Sequence, residues 1–185
     1  MERIFVSSDG WLSAAERYPS PNFNERPVGE QISLLVIHNI SLPPGEFGTQ
    51  YVKSFFTNKL DSSLHEYFET IAQLKVSSHL FIERSGHITQ FVPFDQRAWH
   101  AGTSSFDGVD NCNNYSIGIE LEGCDDIAYT DDQYRALVAV TRHLSLIYPK
   151  ITRDRIVGHN QIAPGRKTDP GSAFDWSRYH SLLDE

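Results

Sequence analysis

The stretch SLLVIH at residues 33–38 leaves this chain few ways to fold. Its apolar side chains fall on both alternating faces, so a strand here must be covered on both sides, as central strands of α/β sheets are. The paired prolines of ISLPPGEFGT (40–49) cannot continue it and force an exit loop. Helix and strand patterns then interleave. QYVKSFFTNKL (50–60) and SSLHEYFETIAQL (62–74) have helical spacing, the second opened by a Ser63…Glu66 capping-box pattern. HLFIERSGHITQFV (79–92) reads as two β-rich runs around a Ser-Gly turn, a hairpin. SIGIELEG (116–123) alternates, with Ile117, Ile119 and Leu121 on one face and Gly118, Glu120 and Glu122 on the other. Thr130…Gln133 caps an amphipathic helix whose inner stripe is Tyr134, Leu137, Val138, Thr141, Leu144 and Tyr148. RIVG (155–158) is a short strand and about 174–184 a last helix. The expected fold is α/β, a single domain over 1–185 with a mixed central β-sheet flanked by helices. Residues 19–31, rich in proline and polar groups, read as an ordered wrapping segment, and 98–114 as a long polar loop of the kind that often carries function.

The net charge of −8, with no dense Lys/Arg run, argues against nucleic acid or an anionic membrane surface as partner. No apolar stretch approaches transmembrane length, and the N-terminal segment lacks the composition of an export signal. Cys112 and Cys124 flank the strand YSIGIELE, which spans roughly 26 Å when extended. A disulfide needs Cα atoms within about 7 Å. The two thiols are therefore expected free, and the cytoplasm is the expected compartment. No obligate protein partner is evident.

VGHNQIAPGRKTDPG (157–171) gathers an imidazole, an ammonium and a carboxylate into one loop stiffened by prolines and glycines. His38 closes the buried strand, where α/β sheets build their sites, although a hydrogen-bonded core histidine also suits that place. With His159 and Asp169 it makes two imidazoles and a carboxylate, which leave one tetrahedral position of zinc open. Iron(II) sites of this composition commonly begin with His-x-Asp/Glu, and none of the eight histidines has an acid two residues later. One zinc ion (Zn²⁺) per chain is thus favoured. Pro170 biases Asp169 toward extended backbone, which sets Lys167 on the same side as a cation for a developing oxyanion. A proton handler is also needed, and Glu120 and Glu122 share a strand face. Glu122, nearer the strand end, reads as solvated, whereas a carboxylate at Glu120 is costly unless it serves water or a cation. Of the other histidines, His65 reads as part of a polar helix face, His143 and His180 fall in helices, and His87 follows a turn in solvent. His79 and His100 either line a pocket or hydrogen-bond within it.

YPSPNFN, SLLVIHNISLPPGEFG, VSSHLFIERSG, QFVPFDQRAWHAGTSSF, NYSIGIELEG, AYTDDQY and VGHNQIAPGRKTDPG together make the chain resemble the AmpD family of N-acetylmuramyl-L-alanine amidases. These zinc amidases share their fold with peptidoglycan recognition proteins. The resemblance implies metal ligands at His38, His159 and Asp169, the proton-handling carboxylate at Glu120 rather than Glu122, and a catalytic cation at Lys167. It also implies substrate-binding positions at Asn39, Lys75, Trp99 and Ala163, with Trp99 an apolar wall for a sugar and Lys75 a partner for a peptide carboxylate. The implied reaction cleaves the amide between 1,6-anhydro-N-acetylmuramic acid and the L-alanine of the stem peptide. The substrate is then a small muropeptide, in cytoplasmic cell-wall recycling, with an influence on β-lactamase induction. Two rivals differ from this: an amidase of broader specificity that acts on intact peptidoglycan, and a non-catalytic muropeptide-binding module. Such modules typically replace a zinc ligand, and here all are present.

Overall fold

The computed structural model describes residues 4–185; residues 1–3, the start of the segment read for an export signal, lie outside the described residues. In chain order the first elements are β1 (Glu16–Arg17), β2 (Phe23–Glu25), β3 (Leu34–Ile40), α1 (Tyr51–Phe56), α2 (Glu66–Ile71), β4 (Leu80–Ile82) and β5 (Ile88–Gln90). There follow β6 (Gln96–Ala98), β7 (Ser105–Phe106), β8 (Val109–Asp110), β9 (Ser116–Glu122), α3 (Asp131–Ile147), β10 (Ile156–Gly158), α4 (His159–Ile162) and α5 (Trp176–Asp184). One six-stranded sheet runs in the order β1-β5-β4-β9-β3-β10. All its pairings are parallel except the β4–β5 hairpin, so the expected mixed central sheet is observed.

β3 and β9 lie at the centre of the site-bearing half, and every residue of β9 is buried. Leu35, Ile37, Ile117, Ile119 and Leu121 pack under α3 and α5 with Leu137, Val140, Leu144 and Tyr179. Each such aliphatic burial contributes about 1.5–3 kcal/mol, which is why α3 needs only one hydrophobic stripe. Thr130 and Gln133 form the expected capping box at its start. The other face of β3 and β9 is covered by α1, α2, α4 and the 98–114 loop rather than by water. Among the described residues no helix is long and apolar enough to cross a membrane. Both cysteines are free.

Three local expectations need correction. Ser63 does not cap a helix: Asp61 accepts the Ser63 N–H at 2.9 Å and closes a separate 3₁₀ turn, Ser62–Leu64. The α-helix starts only at Glu66, with His65 as its extended N-cap accepting the Tyr67 N–H at 3.1 Å. His65 therefore ends a turn and opens a helix instead of sitting on a polar helix face. Glu122, read as solvated, is 3% exposed. It accepts the backbone N–H groups of Gly48 (2.5 Å) and Arg84 (2.9 Å), tying the β3 exit loop to the β4–β5 turn.

The segment 19–31 does wrap. β2 pairs antiparallel with β6. Beyond it the half-buried Arg26 guanidinium donates to the carbonyls of Phe94, Asn113, Asn114 and Ser116, which satisfies a costly charge and pins the wrap to the start of β9. The long 98–114 loop contains the β7–β8 hairpin.

Candidate metal centre

The site forms where three parallel strands end. In the β3–β9 register His38 stands opposite Glu120, and β10 pairs its Gly158 with Ile37, so His159 follows immediately as the first residue of α4. Crevices beyond the carboxyl ends of such strands are where open α/β sheets place ligands. Gly158 is required by space: a Cβ there would stand 2.8 Å from Pro170 Cδ and overlap the Asn160 side chain. The returning loop is held because Asn160 N–H donates to the Asp169 carbonyl at 3.0 Å, and Tyr129 O–H to that of Pro170 at 2.8 Å.

These contacts bring three side-chain atoms to one point. His38 Nδ1 and His159 Nδ1 are 3.0 Å apart, and each lies 3.1 Å from Asp169 Oδ2. Ligands of a tetrahedral zinc with bonds near 2.0–2.1 Å stand about 3.3 Å apart, so the spacing fits the ion closely. The donor chemistry fits too, since two neutral imidazoles and a carboxylate suit a borderline-soft cation. Burial holds the His38 imidazole down at about 4, which keeps its nitrogen free to ligate. Burial pushes the Asp169 carboxyl up, but the flanking His159 and His38 outweigh it and leave the group well below the ordinary carboxylate range.

Glu120 stands beside this cluster. Its Oε1 is 4.0 Å from His38 Nδ1, while its Oε2 is buried and has no hydrogen-bond partner among the described residues. Burial, reinforced by the Asp169 charge and opposed by Lys167, drives the Glu120 carboxyl well above its usual range. A carboxyl raised in this way accepts a proton more readily than an ordinary carboxylate does.

A cavity of about 860 Å³ opens over the cluster. Leu42, Phe55, Phe56 and Val76 make one wall apolar, and Asp125, Asp126, Arg166 and Lys167 charge another. Asn39 lines it and donates to Asp125 Oδ1 at 2.9 Å; Trp99 lines it and donates from Nε1 to Asn24 Oδ1 at 2.7 Å. Lys167 is exposed at its rim. Ala163 is buried and lies off the wall; its carbonyl instead accepts the N–H groups of Arg166 (3.1 Å) and Lys167 (3.0 Å). Lys75 is exposed outside the wall, between Leu74 and Val76, which belong to it. Arg166, Asp125 and Asp126 went unread in the sequence. The GRK run gives Arg166 away only as a neighbour of Lys167. His100 lines the cavity and hydrogen-bonds within it, whereas His79 accepts the Gly118 N–H at 3.0 Å beneath the site.

Residues 28–172 match the N-acetylmuramoyl-L-alanine amidase family. The 1,6-anhydro-N-acetylmuramyl-L-alanine amidase AmpD of Salmonella typhimurium is 56% identical over 174 residues, 94% of this chain and 92% of that protein. The crystal structure of a Se-Met AmpD derivative has a TM-score of 0.93 at 54% identity, covering 97% of this chain and 99% of the other. AmpDh3 from Pseudomonas aeruginosa, solved in complex with anhydromuramic pentapeptide, has a TM-score of 0.61 at 27% identity, with 84% of this chain and 61% of that one covered.

Proposed function

This chain belongs to the N-acetylmuramoyl-L-alanine amidase family and is an amidase, and from that premise we propose that it hydrolyses the amide between 1,6-anhydro-N-acetylmuramic acid and the L-alanine of a muropeptide. We assign His38, His159 and Asp169 as ligands of one zinc ion, Glu120 and Lys167 as catalytic residues, and residues 1–185 as one amidase unit. The reading extends to peptidoglycan recycling in the cytoplasm, with lowered muropeptide levels acting on β-lactamase induction. The observation that carries it is the buried, unpartnered Oε2 of Glu120 beside three converging ligand atoms.

When bound, zinc supplies Lewis-acid polarisation of the amide carbonyl and acidifies a water held beside it. The residues do the rest. Glu120 takes the proton of the attacking water as its oxygen bonds to the amide carbon. The same carboxyl then gives that proton to the departing alanine nitrogen, so one group serves as base and as acid. Lys167 at the rim presents an ammonium to the oxyanion that develops on the carbonyl oxygen. Trp99 offers a flat apolar surface to the sugar. Arg166 and Lys167 in the lining offer cations to a stem-peptide carboxylate, whereas Lys75 is exposed outside it.

Mass spectrometry of the protein incubated with anhydro-N-acetylmuramyl tripeptide tests this reading, run as isolated, after chelation and after zinc is restored. Free tripeptide is expected in the first and third samples only. Intact substrate in all three, with one zinc bound per chain, would contradict it.

A further inference from the structure

Both proposed histidine ligands lean on two consecutive residues of the 98–114 loop. The Ala101 carbonyl lies 3.1 Å from His159 Nε2, and His100 Nδ1 lies 2.9 Å from His38 Nε2. A carbonyl can only accept, so His159 carries its ring proton on Nε2 and turns the lone pair of Nδ1 toward His38 and Asp169. His38 Nδ1 faces the same point, which places the His38 proton on Nε2, donated to His100 Nδ1. His100 Nε2 in turn donates to Ser116 Oγ, 3.0 Å away on β9.

The dipeptide is itself clamped. Asn113 Oδ1 accepts the backbone N–H groups of both His100 (3.1 Å) and Ala101 (2.8 Å). Arg166 adds a bond from Nη2 to the Ala101 carbonyl at 2.7 Å. Gly118 makes the room, because a Cβ at that strand position would overlap the His100 ring. The imidazole thus lies flush on bare backbone, edge-to-face with His38 at a centroid distance of 5.0 Å. His100 and Asn113 are both buried, so water does not compete for these bonds.

We propose that His100 is a positioning residue of the metal centre, and that the backbone of His100–Ala101, clamped by Asn113, sets the tautomer and aim of both histidine ligands together. The inference rests on the metal-site reading above. Outer partners of metal-bound histidines commonly govern affinity by about 10–100-fold, and here a single side-chain oxygen governs two of them.

The test strips the protein of metal and measures zinc affinity by competition with a chromophoric chelator, for the unaltered chain and for His100→Ala, His100→Gln, His100→Phe and Asn113→Ala. Thermal unfolding of each metal-free protein reports whether it folds, and the visible spectrum after Co(II) loading reports ligand geometry. His100→Ala is expected to weaken zinc binding about 10–100-fold and to alter the Co(II) bands. His100→Gln, which keeps an acceptor and a donor, recovers part of the affinity. Should His100→Ala not fold, His100→Phe keeps a ring against Gly118 without either hydrogen bond and carries the same expectation. Asn113→Ala weakens binding although it touches neither ligand. Unaltered affinity and spectrum in folded His100 and Asn113 variants would overturn the proposal. An unaltered chain that takes up no zinc would instead defeat the metal-site reading beneath it.

Discussion

On the face of the central sheet toward α3, Leu35, Ile37, Ile117, Ile119 and Leu121 bury hydrocarbon against hydrocarbon, whereas the opposite face of the same two strands buries His38, Ser116, Glu120 and Glu122. Both sets of side chains are buried, the second beneath the cavity. The first is stabilised by area and shape. The second holds because its polar atoms are matched by named partners: Glu122 by Gly48 and Arg84, Ser116 by His100, His38 by His100 and the ligand cluster. Among the described residues, Glu120 Oε2 has no such partner. A buried acceptor left unmade costs about 1–3 kcal/mol or more. Keeping one at the mouth of a cavity therefore marks where stability has been given up for chemistry.

The contrast can be broken from the site face first. Lys167→Met removes the rim ammonium and should lower kcat by about 10²–10³-fold with KM nearly unchanged, as loss of an oxyanion donor does. A rise in KM alone would make Lys167 a binding residue. On the opposite face, Leu137→Ala should cost about 2–5 kcal/mol of stability in denaturant unfolding, with turnover per folded molecule unaltered. Glu122→Ala should cost somewhat less, about 1–3 kcal/mol, by orphaning the Gly48 and Arg84 N–H groups. Equal stability of Glu122→Ala and the unaltered protein would show that water replaces those bonds.

The smallest effect has the opposite sign. Burial raises the Glu120 carboxyl above its ordinary value of 4.5, so the folded metal-free protein keeps a proton that the unfolded chain releases. Stability of the metal-free protein must then fall as pH rises from about 4.5 toward the raised value. Glu120→Gln carries no such proton. Its melting temperature should exceed that of the unaltered metal-free protein at pH 7–8, with the gap shrinking toward pH 4. A gap that widens toward acid would mean that Glu120 is held charged.

The apolar face was legible in the sequence because a helix stripe and strand alternation are periodic. Leu137, Leu144 and the Ile117–Ile119–Leu121 set all fell where the periods put them, and Thr130 capped α3 as its pairing with Gln133 implied. The converging trio of His38, His159 and Asp169 was legible from residue type and from position at a strand end. Glu122 was misread because alternation cannot distinguish a face open to water from one roofed by loops. α2 was started too early because Ser63 and Glu66 match a capping box, while the competing Asp61 carboxylate lies outside that pattern. α4, four residues long, is shorter than any period can reveal. The support that His100 and Asn113 give the site joins residues far apart in the chain, and only the folded register brings them together.

The central claim is that the unpartnered Glu120 carboxyl moves the proton in amide hydrolysis. It is tested most directly by loading Glu120→Ala with zinc, verifying one ion per chain, and measuring tripeptide release from anhydro-N-acetylmuramyl tripeptide beside the unaltered protein. The account predicts full metal content with turnover reduced by about 10²–10⁴-fold. Full metal content with near-normal turnover would contradict it.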